Sequence, residues 1–303
     1  MKLNIAAAIL LPIVIATSSL PHIVHIVIDD FGWDQVGYHS NSDEVITPNI
    51  DKLVREGVDL DRHYVHKICS PSRVALQSGR SPIHSNVQNV HPEVHNGKDE
   101  LSGFQGLPLN MSTIADVLKT THSTHFVGKW DVGMASHSHM PFVRGYETFT
   151  GYFHHSNDYW QQTEQKCYNK PVFDLWKHNS TFSGPAVEHK NGPTCTQDKQ
   201  KPVDGGKCVY EEEILLGEVL KIIDAHQPAA KPAKPMFLFY STHLTHMPLQ
   251  LPEEDLEKFA NIKNEYRRSM RAMSHYVDKE VGQVVEKLKE SGMVSERGER
   301  FRI

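Results

Sequence analysis

The chain has 303 residues, 39% of them hydrophobic and 23% charged, which is enough to bury a sizeable core in one large or two smaller domains. A formal net charge of -5 with no dense Lys/Arg tract excludes a basic arm for nucleic acid, so partners must be argued from a site. Past the N-terminus no stretch is long and apolar enough to predict a membrane span.

Lys2 precedes an apolar run from Ile5 to Ala16 that ends in Thr17, Ser18 and Ser19, the pattern of a signal peptide over residues 1–20. The mature chain, 21–303, is therefore expected in the secretory pathway, either secreted or lysosomal. Two sequons, Asn110-Met111-Ser112 and Asn179-Ser180-Thr181, would accept glycans there. Of four cysteines, Cys69 stands far from Cys167, Cys195 and Cys208, so a disulfide is expected within the latter three.

His22 to Ile28 is a β-branched apolar run, hence a buried strand, and it ends in Asp29-Asp30-Phe31-Gly32. Thr47-Pro48 predicts a helix start, with Ile50, Leu53 and Val54 on one face and Gly57 as the stop. Cys69-Ser70-Pro71-Ser72-Arg73 follows, with proline suited to a first helical turn. A helix over 112–119 leads to a strand at His125 to Val127, and a helix over 209–226 leads to a strand from Met236 to Tyr240. A last helix covers 264–290. The alternation predicts an α/β fold, a doubly wound and mostly parallel sheet with helices on both faces. The polar, aromatic text from about 151 to 206 reads as a loop-rich insertion rimming the site. The 20 histidines show no His-x-x-x-His on a helix and no Cys/His ligand spacing, so no zinc site is expected.

Cys69-Ser70-Pro71-Ser72-Arg73, followed by Leu76 and Gly79-Arg80, resembles the signature of type I sulfatases, and the chain is similar to arylsulfatase B-like members of that family. The resemblance implies the alkaline-phosphatase-like fold, Ca²⁺ as cofactor, and conversion of Cys69 to formylglycine by the formylglycine-generating enzyme during maturation. Its substrates would be sulfate monoesters, of an aryl group or a sugar. An aldehyde hydrate carries two hydroxyls on one carbon, so one can take up sulfate and the other expel it. Asp29 and Asp30, with the oxygen at position 69, would hold the ion, which takes six to eight hard oxygens. Arg73 would hold the nucleophile and metal ligands in place.

Val127-Gly128-Lys129-Trp130 is similar to the family's Gly-Lys-Trp-His segment, which gives Lys129 the sulfate. The family's histidine is replaced by Asp131, whose carboxylate can accept a proton or reach the metal, or His137 or His139 can fold back to supply the imidazole. In Ser241 to Pro248 the family's sulfate-binding histidine maps to His246, a natural general acid, with His243 as a structural neighbour. The run from Gly151 to Trp160 resembles a substrate-rim loop, although its aromatic residues serve packing equally well.

The likeness runs from about Pro21 to about Gly292. The family's Asp-Asn pair, which completes the calcium shell, has no counterpart among these residues, and this predicts little turnover from the chain as printed. Two other readings remain at this stage: a phosphoesterase of the same superfamily, and a catalytically inactive secreted protein that binds sulfated ligands.

Overall fold

The structure is a computed structural model and describes residues 20–85, 87, 106–134, 136–164, 172–186, 208–230 and 234–294. The segment up to residue 19, where a signal peptide is expected, together with Cys167 and Cys195, lies outside the described residues.

In chain order the elements are β1 (Ile23–Ile28), α1 (Pro48–Glu56), α2 (Cys69–Ser78), α3 (Pro82–Ser85), α4 (Ile114–Leu118), β2 (Ser123–Lys129), β3 (Thr148–Tyr152), β4 (Thr163–Glu164), β5 (Val172–Phe173), β6 (Trp176–His178) and β7 (Ser183–Pro185). Then come α5 (Glu211–His226), β8 (Met236–Thr242), α6 (Glu253–Glu257) and α7 (Glu265–Glu290). The main sheet has the order β1-β8-β2-β3-β6-β7, in which β1, β8, β2 and β3 run parallel and β6 and β7 are antiparallel additions.

Alternation within β8 explains why helices cover both faces. Met236, Leu238 and Tyr240 point to one side and pack with Leu215, Val219 and Ile223 of α5 and Val284 and Leu288 of α7. Phe237 and Phe239 point to the other, where they join Val74 of α2, Ala115 of α4, Phe126 and Phe149. Phe126 stacks on Phe239 with centroids 5.0 Å apart. β8 lies buried on both faces, which is why it reads as a continuous apolar run, whereas β1, expected to be buried, is an edge strand in which only Val24 is fully buried.

The expected strands and helices are present with shifted ends. β2 begins at Ser123 and runs to Lys129, and β8 continues through Ser241 and Thr242. The helix expected over 112–119 is one short turn capped by Thr113, whose side chain accepts from Asp116 N. Thr47 precedes α1 but does not cap it; Asp278 of α7 instead accepts from Asn49 N and Ile50 N, pinning the two helices together. The segment expected as an insertion from 151 opens inside β3, and β6 and β7 within it extend the main sheet.

Gly128 is required where β2 passes β8. Its φ is +102°, and a Cβ there would sit 1.8 Å from Ser241 O. That close approach sets Lys129 and Ser241 side by side at the carboxyl ends of their strands.

Candidate active site

Three parallel strands end together, and each delivers a polar group to the same edge. β1 releases Asp29 and Asp30, β2 ends on Lys129 and is followed by Asp131, and β8 runs into His243 and His246. Facing them is the first turn of α2, with Cys69 as its first residue. Asp30 and Asp131 both have positive φ, +54° and +47°, a left-handed conformation uncommon outside glycine.

Asp29 is the hub. Its carboxylate accepts from Lys129 Nζ at 2.7 Å and from Arg73 Nη2 at 2.9 Å, and Cys69 Sγ lies 3.7 Å away. Burial opposes its charge, yet Lys129 and Arg73 together hold its carboxyl well below the usual carboxylate range. Arg73 also donates to Lys129 O and to Ser241 Oγ, so one guanidinium ties α2 to all three strand ends. The Lys129 side chain is fully buried and lies 3.7 Å from Asp131. Burial disfavours its charge, but Asp29 and Asp131 reverse the balance and raise its pKa. Burial pushes the Cys69 thiol up to about 11, with Lys129 opposing and Asp29 adding to the rise; the thiol is free.

Asp131 accepts from Ser70 Oγ at 2.8 Å and pairs with His155 Nδ1 at 3.1 Å. The imidazole on Asp131 is thus that of His155, rather than His137 or His139. His139 Nδ1 pairs with Ser136 Oγ, and the His137 ring packs edge-on against Phe142. In the stretch from Gly151 to Trp160, Phe153, Tyr159 and Trp160 are buried in the packing, and the His155 ring reaches Asp131.

His246 places Nε2 3.7 Å from Asp30 and directs Nδ1 at Met247 O, 2.6 Å away. Burial, followed by Lys129, pushes its pKa down to about 4. Met247 O is an acceptor, so the neutral ring donates from Nδ1 and turns Nε2 toward Asp30. His243 is fully buried: its ring stacks on Tyr159, and Nδ1 pairs with Glu211 at 3.0 Å. Glu212 accepts from His243 N and Leu244 N, and Tyr159 Oη donates to the carbonyls of His243 and His246. These contacts fix the loop that carries His246.

Carboxylate oxygens of Asp29 and Asp30 and the side-chain atom of residue 69 lie within 4.8 Å of one another. With an oxygen at position 69 this is a hard donor set suited to Ca²⁺. Asp29 would share its charge between that ion and its two cationic neighbours.

The sulfatase family profile matches residues 21–295. Mouse arylsulfatase J is 33% identical over 91% of this chain and 41% of its own length, so the chain spans less than half of that relative. The crystal structure of Ps i-CgsB in complex with k-i-k-neocarrahexaose superposes with a TM-score of 0.70 at 28% identity, over 91% of this chain and 56% of that one. A Vibrio parahaemolyticus protein of the alkaline phosphatase superfamily shares the fold, with a TM-score of 0.51 at 18% identity over 91% of this chain and 52% of that one. A family match over nearly the whole chain, on a strand-edge cluster centred on Cys69, shows that this chain belongs to the sulfatase family.

Proposed function

We propose that this chain carries the nucleophile end of an enzyme that hydrolyses sulfate monoesters, of an aryl group or a sugar, through formylglycine made from Cys69 with Ca²⁺ on Asp29 and Asp30. The observation that carries the reading is the position of Cys69: first residue of α2, beside Asp29, with Lys129, Arg73, Asp131 and His155 around it. Formylglycine hydrate would supply one hydroxyl to take up sulfate and a second to expel it, and a cation held by Asp29 and Asp30 would screen charge on the sulfate oxygens.

The chain's own residues do the rest. Lys129 and the amide end of α2 offer positive potential to the tetrahedral sulfate group, a monoanion as the ester and a dianion once released. Arg73 fixes Asp29 and Ser241, so neither needs to reorganise as charge develops. Asp131 orients His155 through Nδ1 and so presents Nε2 as the nitrogen that would take a proton from the group at position 69 as general base. His246 stands beside Asp30 to hydrogen-bond the leaving oxygen.

The substrate class is supported by similarity to mouse arylsulfatase J and to a structure in complex with k-i-k-neocarrahexaose. The test compares aryl sulfate and aryl phosphate hydrolysis by protein extended to the length of its relatives and co-expressed with the formylglycine-generating enzyme. Sulfate turnover that a chelator abolishes and Ca²⁺ restores is expected. Preferential phosphate turnover would make the protein a phosphoesterase, and no turnover despite an aldehyde at position 69 would make it a binding protein.

A further inference from the structure

No spacing of histidine and cysteine in the sequence marks a transition-metal site, yet the fold brings one cysteine and two histidines together. Cys69 Sγ and one ring nitrogen each from His155 and His246 lie within 4.8 Å of one another, brought together from the start of α2, the segment after β3 and the loop after β8. We propose that the chain in its thiol form, with Cys69 unconverted, binds a borderline-soft divalent cation of the Zn²⁺ type on Cys69, His155 and His246. This stands apart from the sulfatase reading, because it needs only the thiol and no turnover.

Ring tautomers support it. His155 Nδ1 faces the Asp131 carboxylate and His246 Nδ1 faces Met247 O, both acceptors, so in each neutral ring Nδ1 carries the proton and donates it. Nε2 then holds the lone pair in both. A ligating histidine whose other nitrogen donates to a carboxylate or backbone carbonyl is the usual supporting arrangement in metal sites. One thiolate and two imidazoles form a donor set matched to Zn²⁺, with the fourth position left to water or to Asp30, 3.7 Å from His246 Nε2.

Charge agrees as well. Asp29, Asp30 and Asp131 face Lys129 and Arg73, and the thiolate adds a second net negative charge, so a dication neutralises the cluster. Binding forms a metal–sulfur bond, and the thiol proton leaves to solvent. Position 69 belongs to two overlapping ligand sets, sulfur with His155 and His246, or oxygen with Asp29 and Asp30. Its oxidation state therefore selects which cation the pocket prefers.

The test uses the chain produced in a host without the formylglycine-generating enzyme, titrated with Co²⁺ as a spectroscopic probe and then with Zn²⁺ in competition. One equivalent of Co²⁺ should give tetrahedral visible bands and a thiolate charge-transfer band that Zn²⁺ erases. Cys69→Ser should remove the charge-transfer band, and His155→Gln and His246→Gln should each weaken Zn²⁺ binding by at least the roughly 10–100-fold that loss of an outer-shell partner costs, with circular dichroism confirming that each variant is folded. A charge-transfer band that survives Cys69→Ser, or affinity unchanged in both histidine variants, would overturn the proposal. Sulfate hydrolysis is not read in this experiment, so its result leaves the sulfatase reading to its own test.

Discussion

The first five residues of β8 and the segment from Ser241 to Thr245 that follows them are equally buried and held by largely different means. From Met236 to Tyr240 the strand is enclosed by aliphatic and aromatic side chains of α5, α7 and the sheet's second face. From Ser241 to Thr245 the chain is as deeply enclosed, yet its neighbours are Arg73, Glu211, Glu212 and Asp29. The first stretch is stabilised by apolar area, the second largely by hydrogen bonds from its amides and side chains to buried polar groups, with Leu244 its apolar member. Area tolerates substitutions of similar shape, whereas a paired network fails when one partner is removed.

The largest expected effect lies in the paired region. In an active, extended protein His155→Gln should lower kcat by about 10²–10⁴-fold with KM little changed, because the ring's proton-accepting role at position 69 is lost. Steady-state kinetics on an aryl sulfate reads this split, and an unchanged kcat would remove His155 from the mechanism. Lys129→Met leaves Asp29 with Arg73 as its remaining cation and should destabilise by about 3–5 kcal/mol in urea unfolding.

In the apolar region Phe239→Ala should also cost about 3–5 kcal/mol, but Phe239→Leu less than about 1.5 kcal/mol. If Phe239→Leu is as damaging as Phe239→Ala, the contrast between the two regions is wrong. Glu212 sharpens it through pH. Burial, with Glu211 adding to it, raises its pKa from 4.5 to about 8. The folded state therefore favours the protonated acid, and stability is lost as pH rises from about 4.5 to 8. Glu212→Gln, which keeps an oxygen for His243 N and Leu244 N, should melt at a temperature that falls less between pH 5 and pH 8. At the small end, Lys52→Ala on exposed α1 breaks only a pair with Glu56 and should shift stability by less than about 0.5 kcal/mol.

Much of the site was legible because its parts sit at places the sequence punctuates. An apolar strand ending in Asp29-Asp30, a proline in the turn after Cys69, and a glycine before Lys129 each mark a strand end or helix start. His155 was hidden because its partner is 24 positions away. The two meet through the pairing of β2 with β3, which continues past the strands: Trp130 N donates to Tyr152 O and Asp131 N to Phe153 O. Register of that kind is not written in local spacing. Glu211 and Glu212 were missed for a different reason. Acidic residues in a first helical turn normally read as a solvated end favoured by the helix dipole, whereas these two are fully buried and hold His243. Likewise Thr47 looked like a cap because Thr-Pro usually opens a helix, while a carboxylate from α7 filled the role.

The central claim is that Cys69 becomes the aldehyde on which the whole cluster is built, and the most direct measurement is the mass of the peptide spanning residue 69 in protein from cells able to make formylglycine. The account predicts the aldehyde mass in most of the folded protein, with capture by a hydrazide reagent, and no such mass for Cys69→Ser. A folded protein from those cells in which residue 69 remains a thiol throughout would contradict it.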